Sequence, residues 1–275
     1  MTPIHIIELI ITFIVGGLAA GFTSGMFGLG GGAVLVPLLL FLLPKLGASP
    51  NATMHQAVGT SLAIIVFSTF SASLEQYKTK NLALNILKPW LPFVLLGIIG
   101  ATFVFSYMPA LLLEVSFMVY LLLCAAYMVF KKVPKDVSLQ DEKKIPLAAN
   151  ALAGTFVGAL SIFLGVGGGT FTVPFYLTYQ YSLKRAIALS SATGFFVGIF
   201  GACSAMYSGH HALGLARYSI GYVNLLSLLI ITPFSIFSAI YGVKINHRLS
   251  EKTLNTIYVL FLFLIIAYVY YHTFL

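Results

Sequence analysis

The feature that most limits how this chain can fold is how far it runs without a formal charge. Residues 9–44, 46–74, 89–113, 145–183, 186–216, 218–243 and 253–275 hold no Asp, Glu, Lys or Arg. A helix that crosses the hydrocarbon core of a bilayer needs about 20 apolar residues, and each of these runs is longer than that. A shorter run, 115–130, becomes long enough if its helix begins a few residues before Glu114. With 59% of 275 residues hydrophobic and 8% charged, the chain falls far below the roughly 25% charged residues of soluble domains. The sequence therefore predicts an all-α membrane protein that crosses the bilayer many times.

The formal charge of +8 is spread over short connections between apolar runs. That distribution points to membrane topology and a lipid bilayer as partner, with no nucleic acid. Cys124 and Cys203 each stand alone in an apolar stretch and read as buried thiols without a disulfide or metal role. The N-terminal run has no preceding Lys or Arg and continues to Leu43, which predicts a retained helix rather than a signal peptide. The sequon Asn51-Ala52-Thr53 is only a three-residue match and reads as chance.

An internal repeat sets the architecture. The segment Gly21-Phe-Thr-Ser-Gly-Met-Phe-Gly-Leu-Gly-Gly-Gly-Ala-Val-Leu-Val-Pro37 aligns with Gly158-Ala-Leu-Ser-Ile-Phe-Leu-Gly-Val-Gly-Gly-Gly-Thr-Phe-Thr-Val-Pro174 at an offset of 137, with eight of 17 positions identical. Ala57-Val-Gly-Thr-Ser61 and Ala186-Ile-Ala-Leu-Ser190 follow the two copies. The expected organisation is an N-terminal membrane repeat, 1–130, a charged linker, 131–145, and a C-terminal membrane repeat, 146–275. Each repeat reads as five segments: 5–24, 33–43, 56–73, 89–107 and 112–130, then 146–163, 170–181, 187–207, 219–242 and 254–272. Five is odd, so the second repeat is expected to lie inverted.

Loop charge supports this count, because cytoplasmic connections carry excess Lys and Arg. Five segments per half place 13 of the 15 basic residues on one side, leaving only Lys45 and Arg217 on the other. The linker 131–145 is then cytoplasmic, both termini lie outside, and the protein is multi-pass in the cell (inner) membrane. Trp90, Tyr107, Tyr218, Tyr222 and Tyr258 fall near expected helix ends and suit an interfacial belt. His55, His210 and His211 fall in expected outer loops.

Each glycine turn sits in the middle of a charge-free stretch and precedes a short helix. Ala33 to Leu43, 11 residues, spans roughly 16 Å, about half the ~30 Å hydrocarbon core. A helix that begins at mid-membrane exposes free N–H groups and about half a positive charge there. Backbone of that kind is tolerated only when buried in protein or lining a cavity, and two inverted copies would aim two such ends at one point. The candidate substrate-binding residues are therefore Gly30, Gly31, Gly32, Gly167, Gly168 and Gly169. Hydroxyls and an amide nearby could complete an anion's coordination: Ser24, Ser161, Thr60, Ser61, Ser190, Ser191, Thr193 and Gln56. The spans offer almost no acids, which disfavours a cation path or proton relay and an enzyme. No nucleotide-binding loop occurs, and neither a cofactor nor a metal is expected.

Gly-x-Gly-Gly-Gly with Pro five residues later in each half, followed by Ala-Val-Gly-Thr-Ser, resembles the TauE/SafE family of sulfite and organosulfonate transporters over nearly the whole chain. The resemblance implies a secondary transporter for small sulfur-containing anions such as sulfite, sulfoacetate or related sulfonates. The second half departs from it, with Ala188-Leu189-Ser190 where the first has Gly59-Thr60-Ser61. An anion channel of the same build, a membrane-embedded enzyme and a structural scaffold are the rival readings. A homo-oligomeric assembly stays open.

Overall fold

The computed structural model describes residues 3–130 and 142–250, with isolated helical positions between 253 and 267. Tyr258 and most of the expected segment 254–272 and of the linker thus lie outside the described residues. Nine helices are described: α1 (Pro3–Phe27), α2 (Gly32–Lys45), α3 (Pro50–Lys78), α4 (Leu84–Phe105), α5 (Ala110–Phe130), α6 (Leu147–Leu164), α7 (Gly169–Thr178), α8 (Leu183–Ser208) and α9 (Leu225–Arg248). A two-stranded antiparallel ribbon, β1 (Ser219–Ile220) and β2 (Val223–Asn224), lies between α8 and α9. Six of the helices, α1, α3, α4, α6, α8 and α9, are long and apolar enough to cross a membrane.

The boundaries follow local chemistry. Pro50 opens α3 behind an extended Ser49, a position where its missing N–H costs nothing, so α3 starts six residues earlier than the charge pattern suggests. α9 starts later than expected because Gly221 turns the ribbon at φ 53° and Asn224 caps the helix, its side chain accepting from the Ser227 N–H at 2.9 Å. α2 has 14 residues and α7 has 10, about 21 and 15 Å long. Both fall short of a full crossing.

α3 and α8 form the centre. Every residue from Ala52 to Ile65 and from Ala186 to Gly194 is buried, the mark of a helix wrapped on all sides. They run antiparallel: Gly59 meets Ala205, and Gly198 meets Val66. The flanking helices pair across the halves through glycine. A side chain on Gly17, Gly21 or Gly25 of α1 would strike the α9 backbone at Ile231, Ser235 or Ala239 in turn. One on Gly154 of α6 would approach α4 at Trp90, and one on Gly158 would strike it at Val94. The rising numbers show that α1 runs parallel to α9 and α4 parallel to α6. Small residues let membrane helices approach this closely, where apolar burial gives no drive for association.

Several side chains sit elsewhere than expected. Trp90 is fully buried and stacks on Phe175 at 4.8 Å, and Tyr222 is buried against His55, whereas Tyr107 and Tyr218 are exposed. Trp90 and Tyr222 pack into the interior because α7 and the ribbon fold back over them. Cys203 is exposed rather than buried, since α8 turns that face outward. His55 lies in the second turn of α3, 5% exposed, while His210 and His211 are exposed and pack on each other at 4.6 Å.

Candidate functional site

Both glycine runs fold alike. Gly28 closes α1 in the left-handed region (φ 72°), and its N–H bonds the Ser24 carbonyl at 2.9 Å. Gly165 closes α6 (φ 65°), its N–H on the Ser161 carbonyl at 3.0 Å. Three residues later Gly31 (φ 79°) opens α2 and Gly168 (φ 73°) opens α7. Only glycine adopts such angles freely, which explains why these four positions repeat.

The two turns touch. A Cβ built on Gly30 would stand 3.2 Å from the Gly167 Cα, and one on Gly167 would stand 3.3 Å from the Gly30 Cα. Gly32 lies against Gly165 and Val166, and Gly169 lies against Gly28 and Leu29. Two hydroxyls tie the halves reciprocally. Ser61 of α3 donates to the Gly165 carbonyl at 2.7 Å, and Ser190 of α8 donates to the Gly28 carbonyl at 2.7 Å. The side chains that approach these glycines, among them Val36, Ile65, Val157, Ser161 and Ile187, carry no charge. The starts of α2 and α7, each with unpaired N–H groups and a partial positive charge, thus meet in an uncharged surround.

Most of the expected hydroxyls spend their protons on protein. Ser161 donates to Val157 O (2.6 Å), Ser191 to Ile187 O (3.0 Å) and Thr193 to Leu189 O (2.9 Å), the back-bonding usual for Ser and Thr in helices. Ser24 reaches Ser68 at 3.4 Å, and Ser68 reaches the Gly30 carbonyl at 3.3 Å. Gln56 and Thr60 hold the segment 209–224 across the end of α3 as a cap. The Gln56 Oε1 accepts from the Ala216 N–H at 2.9 Å and its Nε2 donates to Ser219 Oγ at 2.8 Å. The Thr60 hydroxyl oxygen accepts from the Asn224 N–H at 2.9 Å. The donors left for a ligand at the turns are backbone N–H groups.

Toward the other end of α3 lie polar groups that sequence reading passed over. Asn246 of α9 donates to the Met26 carbonyl at 2.6 Å, bracing the last turn of α1. Gln76 is fully buried with neither amide atom hydrogen-bonded. Both lie beyond the helix ends that the charge pattern gives. The signal available was an amide within one turn of an apolar run.

A family model described as sulfite exporter TauE/SafE matches residues 13–269. A probable membrane transporter protein of Haemophilus influenzae is 30% identical over 249 residues, covering 90% of this chain and 93% of its own length. The probable membrane transporter protein YunE of Bacillus subtilis is 30% identical over 275 residues, covering 93% and 95%. One from Methanocaldococcus jannaschii is 28% identical over 249 residues, covering 88% of each chain. No solved structure matches.

Proposed function

The chain belongs to the sulfite exporter TauE/SafE family, and from that premise we propose that it moves small sulfur-containing oxyanions, such as sulfite, sulfoacetate or related organosulfonates, by alternating access around its two glycine turns. The observation that carries this reading is the contact of Gly30 with Gly167, where two short helices begin at one buried point. Discontinuous helices at corresponding places in two halves are where transporter sites form, with helix starts facing an anion. Backbone N–H groups of residues 30–33 and 167–170 serve as the ligand donors. Ser61 and Ser190 keep the turns in shape, and the remaining candidate hydroxyls support them.

The two halves, 1–130 and 146–275, act as inverted repeats in this scheme. Support comes from the antiparallel α3 and α8, and from the exchange in which α1 pairs with α9 as α6 pairs with α4. In this scheme the arrangement with the turns in contact and the cap fastened to Gln56 and Thr60 serves as the closed state. Opening requires one set of these contacts to part. The linker lies in the cytoplasm and the termini outside, on the strength of the loop charges.

Uptake of labelled sulfite and organosulfonates into proteoliposomes tests the proposal. Saturable flux with accumulation against a gradient is the expected result. Non-saturable flux that only dissipates gradients identifies a channel, and the absence of sulfur-oxyanion flux removes the substrate assignment.

A further inference from the structure

Gln56 and Arg185 stand at equivalent places in the two central helices. Each directly precedes the small-residue stretch that follows its glycine turn, and each lies five residues before the serine, Ser61 or Ser190, that bonds the opposite turn. Five residues of helix span about 7.5 Å. Because α3 and α8 run antiparallel, the two side chains lie toward opposite ends of the pair, the same length of helix from those serines. At its end Gln56 fastens the cap. At the other end Arg185 fastens the close of the linker: its Nε lies 3.1 Å from Glu142 Oε1, and the neighbouring Lys143 donates its N–H to the Tyr179 carbonyl at 3.1 Å. Tyr181, 5% exposed, lies beside the pair, with the guanidinium carbon 6.0 Å from its ring centre. Its ring packs on Tyr176 at 5.5 Å and Tyr176 on Trp90 at 5.8 Å, so residues 142–143 are tied to an aromatic layer that reaches α4.

The cap is fastened by neutral hydrogen bonds, the linker end by opposite charges, and the charged fastening is loose. Arg185 and Glu142 are close without the alignment of a hydrogen bond at Nε. Burial pushes the Glu142 carboxyl up more than Arg185 pulls it down, so the attraction does not offset the burial of the carboxylate. The Arg185 side chain keeps 19% of its surface open, within reach of a solute. A guanidinium takes carboxylates and phosphate-like oxyanions through the same fork of N–H groups. The other cation in the first turn of α8, Lys184, directs its ammonium to the His247 carbonyl at 3.2 Å.

We propose that Arg185 receives small oxyanions at the linker face and that Glu142 is its built-in stand-in: a free oxyanion takes the guanidinium, the carboxylate leaves for water, and residues 142–143 lift as a lid. One ion pair replaces another, and no covalent bond forms or breaks. The lid is the counterpart of the cap at the opposite end, with the difference that its ligand class is also its key. This deepens the transport reading by giving the anion a first contact on the linker face, and the movement of the lid can be measured without any flux.

Limited trypsin digestion of the detergent-purified full chain is the test. Cutting after Lys143 requires its backbone to leave Tyr179, and cutting of a transiently opened segment tracks the open population. Mass spectrometry scores that cut as a ratio to the cut after Lys80, an exposed position in the connection between α3 and α4. Sulfate or methanesulfonate in place of chloride, at equal ionic strength, should raise the ratio several-fold in the wild-type chain. Exclusion of sulfate from protein surfaces tightens folds in general, which is the opposite sign. Arg185→Gln leaves Glu142 without its partner, so it should raise the ratio in chloride and remove the response to oxyanions. Glu142→Gln keeps an amide that can stay beside a bound anion, so its ratio should hold at the wild-type chloride value in every salt; it decides the matter if Arg185→Gln does not fold. Lys184→Gln should respond as wild type does. A wild-type ratio indifferent to oxyanions overturns the proposal. So does a response that survives Arg185→Gln or Glu142→Gln, an Arg185→Gln ratio in chloride equal to wild type, or loss of the response in Lys184→Gln. If the ratio responds as expected while proteoliposomes carry no sulfur oxyanion, the lid stands and only the transport reading fails.

Discussion

Ser61 and Ser190 occupy equivalent places and make the same bond to opposite turns, so their substitution is a test of equivalence. Ser61→Ala or Ser190→Ala leaves a buried carbonyl unpaired, which costs about 1–3 kcal/mol. Each should lower the melting temperature by a similar amount in purified protein and slow sulfite uptake similarly. A large effect from only one would contradict a shared site. The glycines should not behave alike. Alanine takes on a positive φ at both positions, but at Gly31 it also runs into the Ala20 carbonyl, whereas at Gly168 the new methyl meets the Val157 Cγ1 at 3.0 Å and Ser161 Oγ at 3.2 Å, side-chain atoms that can shift. Gly31→Ala should therefore cost more stability, and Gly168→Ala should survive purification with transport lost. The glycine positions were legible in the sequence because a positive φ leaves a residue-type signature at a fixed offset. The work of the hydroxyls was not, since a serine's position says nothing of where its proton goes. Gln56 and Thr60 lay in the right helix but face the cap.

Helices were legible as charge-free runs, and their ends were not, because composition hardly changes where a helix stops inside lipid. His55 shows the consequence: with α3 drawn from 56 it reads as a loop histidine, and with Pro50 as its true start it is buried in the second turn. The cap of α9 is a second case. Asn224→Ala removes the acceptor for the Ser227 N–H and hydroxyl and two donor bonds to the Arg217 carbonyl and Ser219. A lost N-cap costs about 0.5–2 kcal/mol, and thermal unfolding should show at least that. Where the linker enters α6, Glu142 pairs with Arg185 at 3.1 Å. Burial pushes the Glu142 carboxyl above its usual 4.5, more than Arg185 pulls it down. A raised carboxyl favours the fold below its ordinary value, and that stability is lost as pH rises through the folded value. Glu142→Gln should therefore keep or raise the melting temperature at pH 7, and flatten its dependence on pH just above 4.5. A clear drop at pH 7 would show that the ion pair outweighs desolvation.

At the scale of the whole molecule, orientation is the open quantity with the sharpest test. Single cysteines at Leu213 on the cap and Lys144 before α6, both exposed, should differ on a background lacking Cys124 and Cys203. An impermeant thiol reagent added to intact cells should label Leu213→Cys and spare Lys144→Cys, and the reverse pattern would turn the molecule over. The two glycine turns were readable from their offset, yet the pairing of α1 with α9 was not, because glycine stripes mark a close contact without naming the partner. That pairing bears on how the protein is made. Gly154 on α6 needs only Trp90, 64 positions earlier, whereas Gly17 on α1 waits for Ile231, 214 positions later. At a synthesis rate of about 5–20 residues per second, that wait lasts roughly 10–40 s. α1 thus waits for its partner far longer than α6 does, and through that interval its small-residue face stands open in the bilayer to any other helix that can approach it.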